Sequence, residues 1–247
     1  MGVVDPPRFR DPVAGRTGGE TAGRRRRLSV LLATGLAAIL LGRLFPMSLV
    51  SDGISFLVHE LGHTAVSILF GSFAVPAVVL TVTFEQSLLS VLGVWVLLLI
   101  VLWRFRTVRV FSIPFGAFCL VYPFLARSPL HVSLITLAGH GAEIGCAAFF
   151  LWRAAAGDLE REWERPGWAL LGWLLWIRNI GLAWGLATSR EARTDYLSVS
   201  FSGDNDLVRI AKSSGLALDS VGAVFLLVAV AVPAAALLLG VLRARQP

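Results

Sequence analysis

The sequence predicts an all-α, polytopic transmembrane helix bundle of six or seven spans, and three observations predict it. The 247 residues are 56% hydrophobic and only 15% charged, whereas a soluble domain carries roughly a quarter charged residues; the mean hydropathy of +0.74 agrees. The apolar residues fall into runs that approach the ~20 needed for a helix to cross a bilayer. The basic residues are bunched: Arg8, Arg10, Arg16 and Arg24 to Arg27 put seven of the 22 ahead of the first apolar run. That bunching argues against a nucleic-acid surface and reads as a cytoplasmic flank.

Residues 1–27 are rich in Gly, Pro and Arg and lack apolar periodicity, so they read as a disordered basic cytoplasmic arm. Residues 28–247 read as a single transmembrane helical domain. The first run follows Arg24–Arg27 in the manner of a signal sequence, but no small-x-small cleavage site is obvious, and it reads as a retained anchor. The expected spans are Leu28–Met47, Gly53–Phe70, Gln86–Trp103, Val110–Ala126, Leu130–Trp152, Gly167–Thr188 and Val221–Leu242. Gly71–Thr83 is β-branched with Pro76 near its start. It reads as a short extended segment embedded in the membrane, which requires cover from protein or a wet cavity. The polar connection Ser189–Ser220 contains Asp204-Asn205-Asp206-Leu207, which reads as the start of a short interfacial helix. Asp204 and Asp206 are expected to be loop and cap residues there.

Seven crossings would put the two termini on opposite sides. Yet Arg104/Arg106/Arg109, Arg153/Arg161/Arg165 and Arg243/Arg245 all read as inside flanks, as does the arm. One of the first three segments is therefore expected to stop short of a full crossing, and the short one carrying His59 is the first suspect.

Ionisable groups inside a bilayer cost about 2.5–3.5 kcal/mol each on insertion scales. Away from span ends, two clusters remain: His59, Glu60 and His63, and then His140 and Glu143. Residues i and i+4 lie about 40° apart around a helix, so His59 and His63 share a face and can hold one cation. Zinc lowers the pKa of a bound water toward ~7. Glu60, near the same face, is expected to take that water's proton as it attacks a peptide carbonyl. A catalytic zinc usually has three protein ligands. Glu143 is the favoured third ligand, with His140 as its neighbour; either can be the ligand while the other orients it or stabilises an oxyanion. Asp219, at the start of the last span, is the reserve. Gly53, Gly62, Ala65, Gly139, Gly141, Ala142 and Gly145 flank the clusters, and small residues let membrane helices approach closely.

At His59-Glu60-Leu61-Gly62-His63, followed by a glycine and the extended run with Pro76, the sequence resembles the site-2 protease family of intramembrane metalloproteases. The resemblance is close over residues 50–90 and extends elsewhere only in hydropathy. It implies zinc on His59 and His63, Glu60 as general base, a membrane-embedded sheet near the substrate, and transmembrane protein substrates. The family's Asn-Pro…Leu-Asp-Gly ligand pattern is absent, and Leu218-Asp219-Ser220 is its nearest echo.

Two other functions compete. Intramembrane His/Glu pairs also conduct metal ions in transporters, although no loop here is His-rich and no second glutamate follows His63. A proteolytically inactive relative that binds membrane partners is the other. His131, beside Pro129, reads as an interfacial residue. Arg178-Asn179 interrupt an apolar span, where they line a cavity, pair with Glu143 or snorkel. Cys119 and Cys146 read as buried hydrophobes. No phosphate-binding loop, dinucleotide fingerprint or serine-elbow pattern is present.

Overall fold

The computed structural model describes residues 12–44, 47–76, 81–156, 162–198 and 205–244. The described elements are α1 (Pro12–Leu41), α2 (Met47–Leu69), β1 (Ala74–Pro76), β2 (Thr81–Thr83), α3 (Leu88–Arg104), α4 (Arg109–Arg127), α5 (Leu130–Ala156), a 3₁₀ turn (Glu162–Glu164), α6 (Arg165–Thr188), α7 (Arg190–Ser198), α8 (Asp206–Ser214) and α9 (Leu218–Arg243). The all-α expectation holds. Of the arm expected over residues 1–27, residues 1–11 lie outside the described part, and from Pro12 the chain is helical.

Helix α5 is the centre of the bundle. Its buried face, Thr136, Gly139, His140, Glu143, Ile144, Ala147, Ala148 and Leu151, repeats at helical spacing and is mostly small. Small side chains let α2, α6 and α9 pack against it closely. A Cβ on Gly62 of α2 would run into the Ala138 carbonyl and the Ala142 Cβ (2.6 Å) of α5. One on Gly240 of α9 would meet Ala155 and Trp152 at 2.9 Å. Buried Arg165 pairs with Glu162 at 2.8 Å and donates to the Ala154 carbonyl, which fixes the turn from α5 into α6.

Outward, the bundle is apolar. Leu32, Leu89, Val110, Leu120, Phe124 and Leu227 are each more than two-thirds exposed, or close to it, among many exposed large hydrophobics. A soluble surface does not carry this much contiguous apolar area. Among the described residues, α5, Glu162–Thr188 and α9 are long and apolar enough to cross a membrane. Leu88–Arg104 and Ser112–Arg127 are shorter apolar helices. These features fit association with a bilayer.

The contacts also fix helix directions. Along α2 and α5, Ser55 meets Glu143, Gly62 meets Ala138, and His63 meets Ile135, so the two run antiparallel. Between α5 and α6, Arg165 meets Ala154 and Arg178 meets Glu143, again antiparallel. Along α1 and α6, Trp173 bonds the Leu31 carbonyl, while Gly42 and Arg43 share a cavity wall with Ile177 and Arg178, so these run parallel. It follows that α1 and α2 point the same way. Only residues 42–46 join them, too few to return along a helix, so they stand in series, end to start. Their joint lies beside Arg178, level with Glu143 near the middle of α5. The first two apolar runs therefore occupy together one length of the bundle, and hydropathy alone had counted them as two.

Ala74–Pro76 and Thr81–Thr83 pair as two strands, more structured than the single extended run expected. β1 and β2 pair antiparallel, with Ala74 opposite Thr83 and Pro76 opposite Thr81; residues 77–80 lie outside the described part. Gly71 precedes β1 at φ +77, where a Cβ would also strike the Val91 backbone nitrogen at 2.7 Å. Glycine meets both demands, since a left-handed φ is costly with a Cβ present. The hairpin packs along α2 beside Glu60.

Candidate metal centre

His59 and His63 meet on one face of α2, as their spacing requires. Their Nε2 atoms lie 3.0 Å apart. The Asp206 Oδ2, at the start of α8, is 3.0 Å from the Nε2 of His59 and 2.9 Å from that of His63. These three donor atoms form a near-equilateral triangle. Donors about 2.0–2.1 Å from one tetrahedral zinc stand roughly 3.3 Å apart, so a small expansion separates this triangle from a ligand set. His63 Nδ1 is 2.7 Å from the Ile135 carbonyl. That bond places the proton on Nδ1 and leaves the Nε2 lone pair facing the triangle.

Helix α5 leaves room at the same spot. A Cβ built on Gly139 would sit 2.5 Å from the Nε2 atoms of both His59 and His63. The space over these nitrogens exists because residue 139 has no side chain. The donor set and this cradle both fit a small divalent cation.

Asp206 closes the triangle, where the sequence pointed first to Glu143. The Asp206 carboxylate is 15% exposed and turns its Oδ2 to both Nε2 atoms. Its place is set by α8, whose Leu207 and Ala211 pack into an apolar cluster with Ile144, Ala183, Leu186, Val221 and Phe225. The expectation that Asp206 is merely a cap is therefore corrected; Asp204 lies outside the described residues. The one local hint is the apolar face that follows Asp206, which ties α8 to the core and so fixes the carboxylate in space.

The other expected residues divide. His140 is brought into the centre: its ring lies 4.6 Å from that of His59. A ligand atom from each of His59, His140 and Asp206 lies within 4.8 Å of the others. Glu143 lies behind the centre, its Oε1 3.6 Å from the Nδ1 of His59, on the side of the ring away from the triangle. Asp219 is exposed and accepts from the Ser220 backbone N–H at 2.6 Å, so it stays outside. His131 bonds the Ser128 carbonyl outside the centre. Of the flanking small residues, Gly62 and Gly139 make close approaches, while Gly53, Gly141 and Gly145 face open space.

Glu60, next to His59 on α2, is buried and turned to the hairpin. The Thr81 hydroxyl of β2 lies 2.6 Å from its Oε2 and donates to it. Thr64 approaches the same hydroxyl at 3.3 Å. Strand β2 thus holds the carboxylate beside the two histidines.

Arg178 realises two of the expectations for it. It lines a cavity of about 220 Å³ at the α1–α2 joint, with Arg43 and Asp52. It also pairs with Asp52 at 2.9 Å and with Glu143 at 3.3 Å. Asn179 is buried and donates to the Leu175 carbonyl. No protein-family model, curated protein or solved structure matches this chain.

Proposed function

We propose that this chain is an intramembrane zinc metalloprotease, with His59, His63 and Asp206 as ligands and Glu60 as general base. The observation that carries the reading is the triangle of two imidazole nitrogens and one carboxylate oxygen at 2.9–3.0 Å, beside a buried glutamate. Zinc bound there supplies a Lewis acid and brings a water's pKa toward ~7. Glu60 takes the proton of the attacking water and passes it to the leaving nitrogen as the C–N bond breaks. Thr81 orients Glu60, so hairpin and base act as a unit. His140 lines the same space, its ring 4.6 Å from that of His59. The substrates are transmembrane protein segments, because the centre lies among helices whose outer faces are apolar.

The test is a pair of variants on purified protein with a transmembrane substrate. Glu60→Gln should abolish cleavage while stoichiometric zinc stays bound. Thr81→Val should lower kcat by about 10-fold with zinc retained, less than the roughly 10²–10⁴ that a general base contributes. A Glu60→Gln protein that cleaves as fast as the parent overturns the mechanism. Zinc flux in proteoliposomes that persists in Glu60→Gln, without cleavage by the parent, would instead favour transport.

The helix directions support one membrane arrangement. We propose six crossings: α1 with α2 in series as one, then α3, α4, α5, α6 and α9. Arg26 and Arg27 lie near Glu162, and Arg243 stacks over Trp152, so the Arg26–Arg27 stretch of α1, the start of α6 and the ends of α5 and α9 share one basic end. The Arg104/Arg106 turn after α3 points the same way. An even number of crossings reconciles these clusters with a single cytoplasmic side. Reporters fused to the N- and C-termini should both read cytoplasmic; a C-terminal reporter on the opposite side would refute the count. In this arrangement the centre, level with Gly139, lies about 14 Å along α5 from Leu130 and about 26 Å from the basic end at Ala156.

A further inference from the structure

Glu143 is almost fully buried, 1% exposed, in the middle of a helix bundle. A carboxylate there is costly unless every lone pair is engaged. Its Oε1 accepts from Ser55 Oγ at 2.5 Å and from Arg178 Nη1 at 3.3 Å. The same oxygen lies 3.6 Å from His59 Nδ1, and Oε2 lies 3.3 Å from His140 Nδ1. Arg178 is in turn held: its Nη1 also reaches Ser55 at 2.6 Å, its Nε donates to Asp52 at 2.9 Å, and it lies over the Phe56 ring at 5.5 Å. The network runs from half-exposed Asp52 to the back of two imidazoles.

We propose that Glu143 is the positioning residue of this centre, holding His59 and His140 by their Nδ1 atoms, with Arg178 as its clamp. This rests on the reading of His59, His63 and Asp206 as a zinc site. A carboxylate only accepts hydrogen bonds, so His140, 3.3 Å away, carries its proton on Nδ1; His59, whose Nδ1 stands at 3.6 Å, turns the same ring edge toward it, and both rings present Nε2 to the centre. For His59 this is the nitrogen in the triangle. His63 achieves the same through the Ile135 carbonyl, so each ligand imidazole has a partner behind it. A carboxylate suits the first position because its two oxygens can serve two rings at once. Such partners orient metal-binding histidines, and their loss costs 10–100-fold in affinity. Ser55 and Arg178 keep the carboxylate from swinging forward to become a ligand itself.

The experiment measures zinc affinity on the full chain in detergent, by competition with a chromophoric chelator, and needs no proteolysis. Glu143→Gln cannot accept from both rings and from Ser55 and Arg178 together. It should bind zinc about 10–100-fold more weakly, still one ion per chain, with two imidazoles per ion by X-ray absorption and unchanged helix content by circular dichroism. Should that variant fail to fold, Arg178→Lys is read the same way. It keeps the charge but loses the fork that spans Asp52, Ser55 and Glu143, and should weaken zinc binding several-fold. Unchanged affinity in the variant that folds overturns the proposal. So does complete loss of zinc in Glu143→Gln with two imidazoles but one oxygen donor fewer on any residual ion, because Glu143 would then belong to the ligand set. A parent chain that binds no zinc overturns the metalloprotease reading itself, which separates the two failures.

Discussion

Asp206→Asn should leave the purified protein without stoichiometric zinc. The amide is nearly isosteric, so Leu207 and Ala211 should keep α8 docked against Phe225 and Ile144. What changes is one donor atom in three. Asp206 Oδ2 is the only described carboxylate oxygen within 3.0 Å of both Nε2 nitrogens. Losing it also removes the negative charge that offsets the ion. The affinity should therefore fall by more than the roughly 10–100-fold that loss of a supporting residue costs. Asp219→Asn is the control: its carboxylate is exposed, bonds only Ser220, and should leave zinc content unchanged. Elemental analysis after dialysis reads both. Full zinc occupancy in Asp206→Asn would remove Asp206 from the ligand set and return Glu143 to first place.

Gly139→Ala should also empty the centre, by occupancy instead of chemistry. The added methyl would lie 2.5 Å from both Nε2 atoms, inside the space that an ion about 2.0–2.1 Å from each nitrogen must use. Nothing else about the residue argues against alanine, which stabilises a helix interior by ~0.5–1 kcal/mol relative to glycine. Gly141→Ala, two residues on, meets nothing within 4 Å and should keep its zinc and unfold at the same temperature or higher. Zinc content and thermal unfolding in detergent, measured on both variants, separate the two sites. Equal zinc in Gly139→Ala and the parent would mean that the ion does not sit beneath α5.

Parts of the centre were legible in the sequence because helical spacing is itself geometry. His59, Glu60 and His63 lie within one turn, so their shared face needed no tertiary information. The cost of a charge in lipid flagged His140 and Glu143 equally well. That cost says a charge has a purpose, but it does not distinguish a ligand from the group that holds a ligand. The same rule hid Asp206. It lies in a polar connection, where a carboxylate is cheap and carries no signal, and only the docking of α8 brings it inward. Hydropathy was blind in a similar way to the joint between α1 and α2. It measures how long an apolar run is and carries no information on which way the helix points.

By itself, then, the sequence determined a helical, apolar-faced bundle, two histidines on one helix face with their adjacent glutamate, and an extended segment beside them. Each is written in residues near one another in the chain, where periodicity and composition translate directly into local structure. The tertiary structure decided that α1 and α2 lie in series, that the extended segment is a hairpin holding Glu60 through Thr81, that Asp206 completes the triangle, and that Glu143 stands behind it. Those outcomes depend on distant segments converging. Convergence is set by close approaches such as Gly62 on Ala138 and Gly139 over the imidazoles, which exist only once the helices have packed.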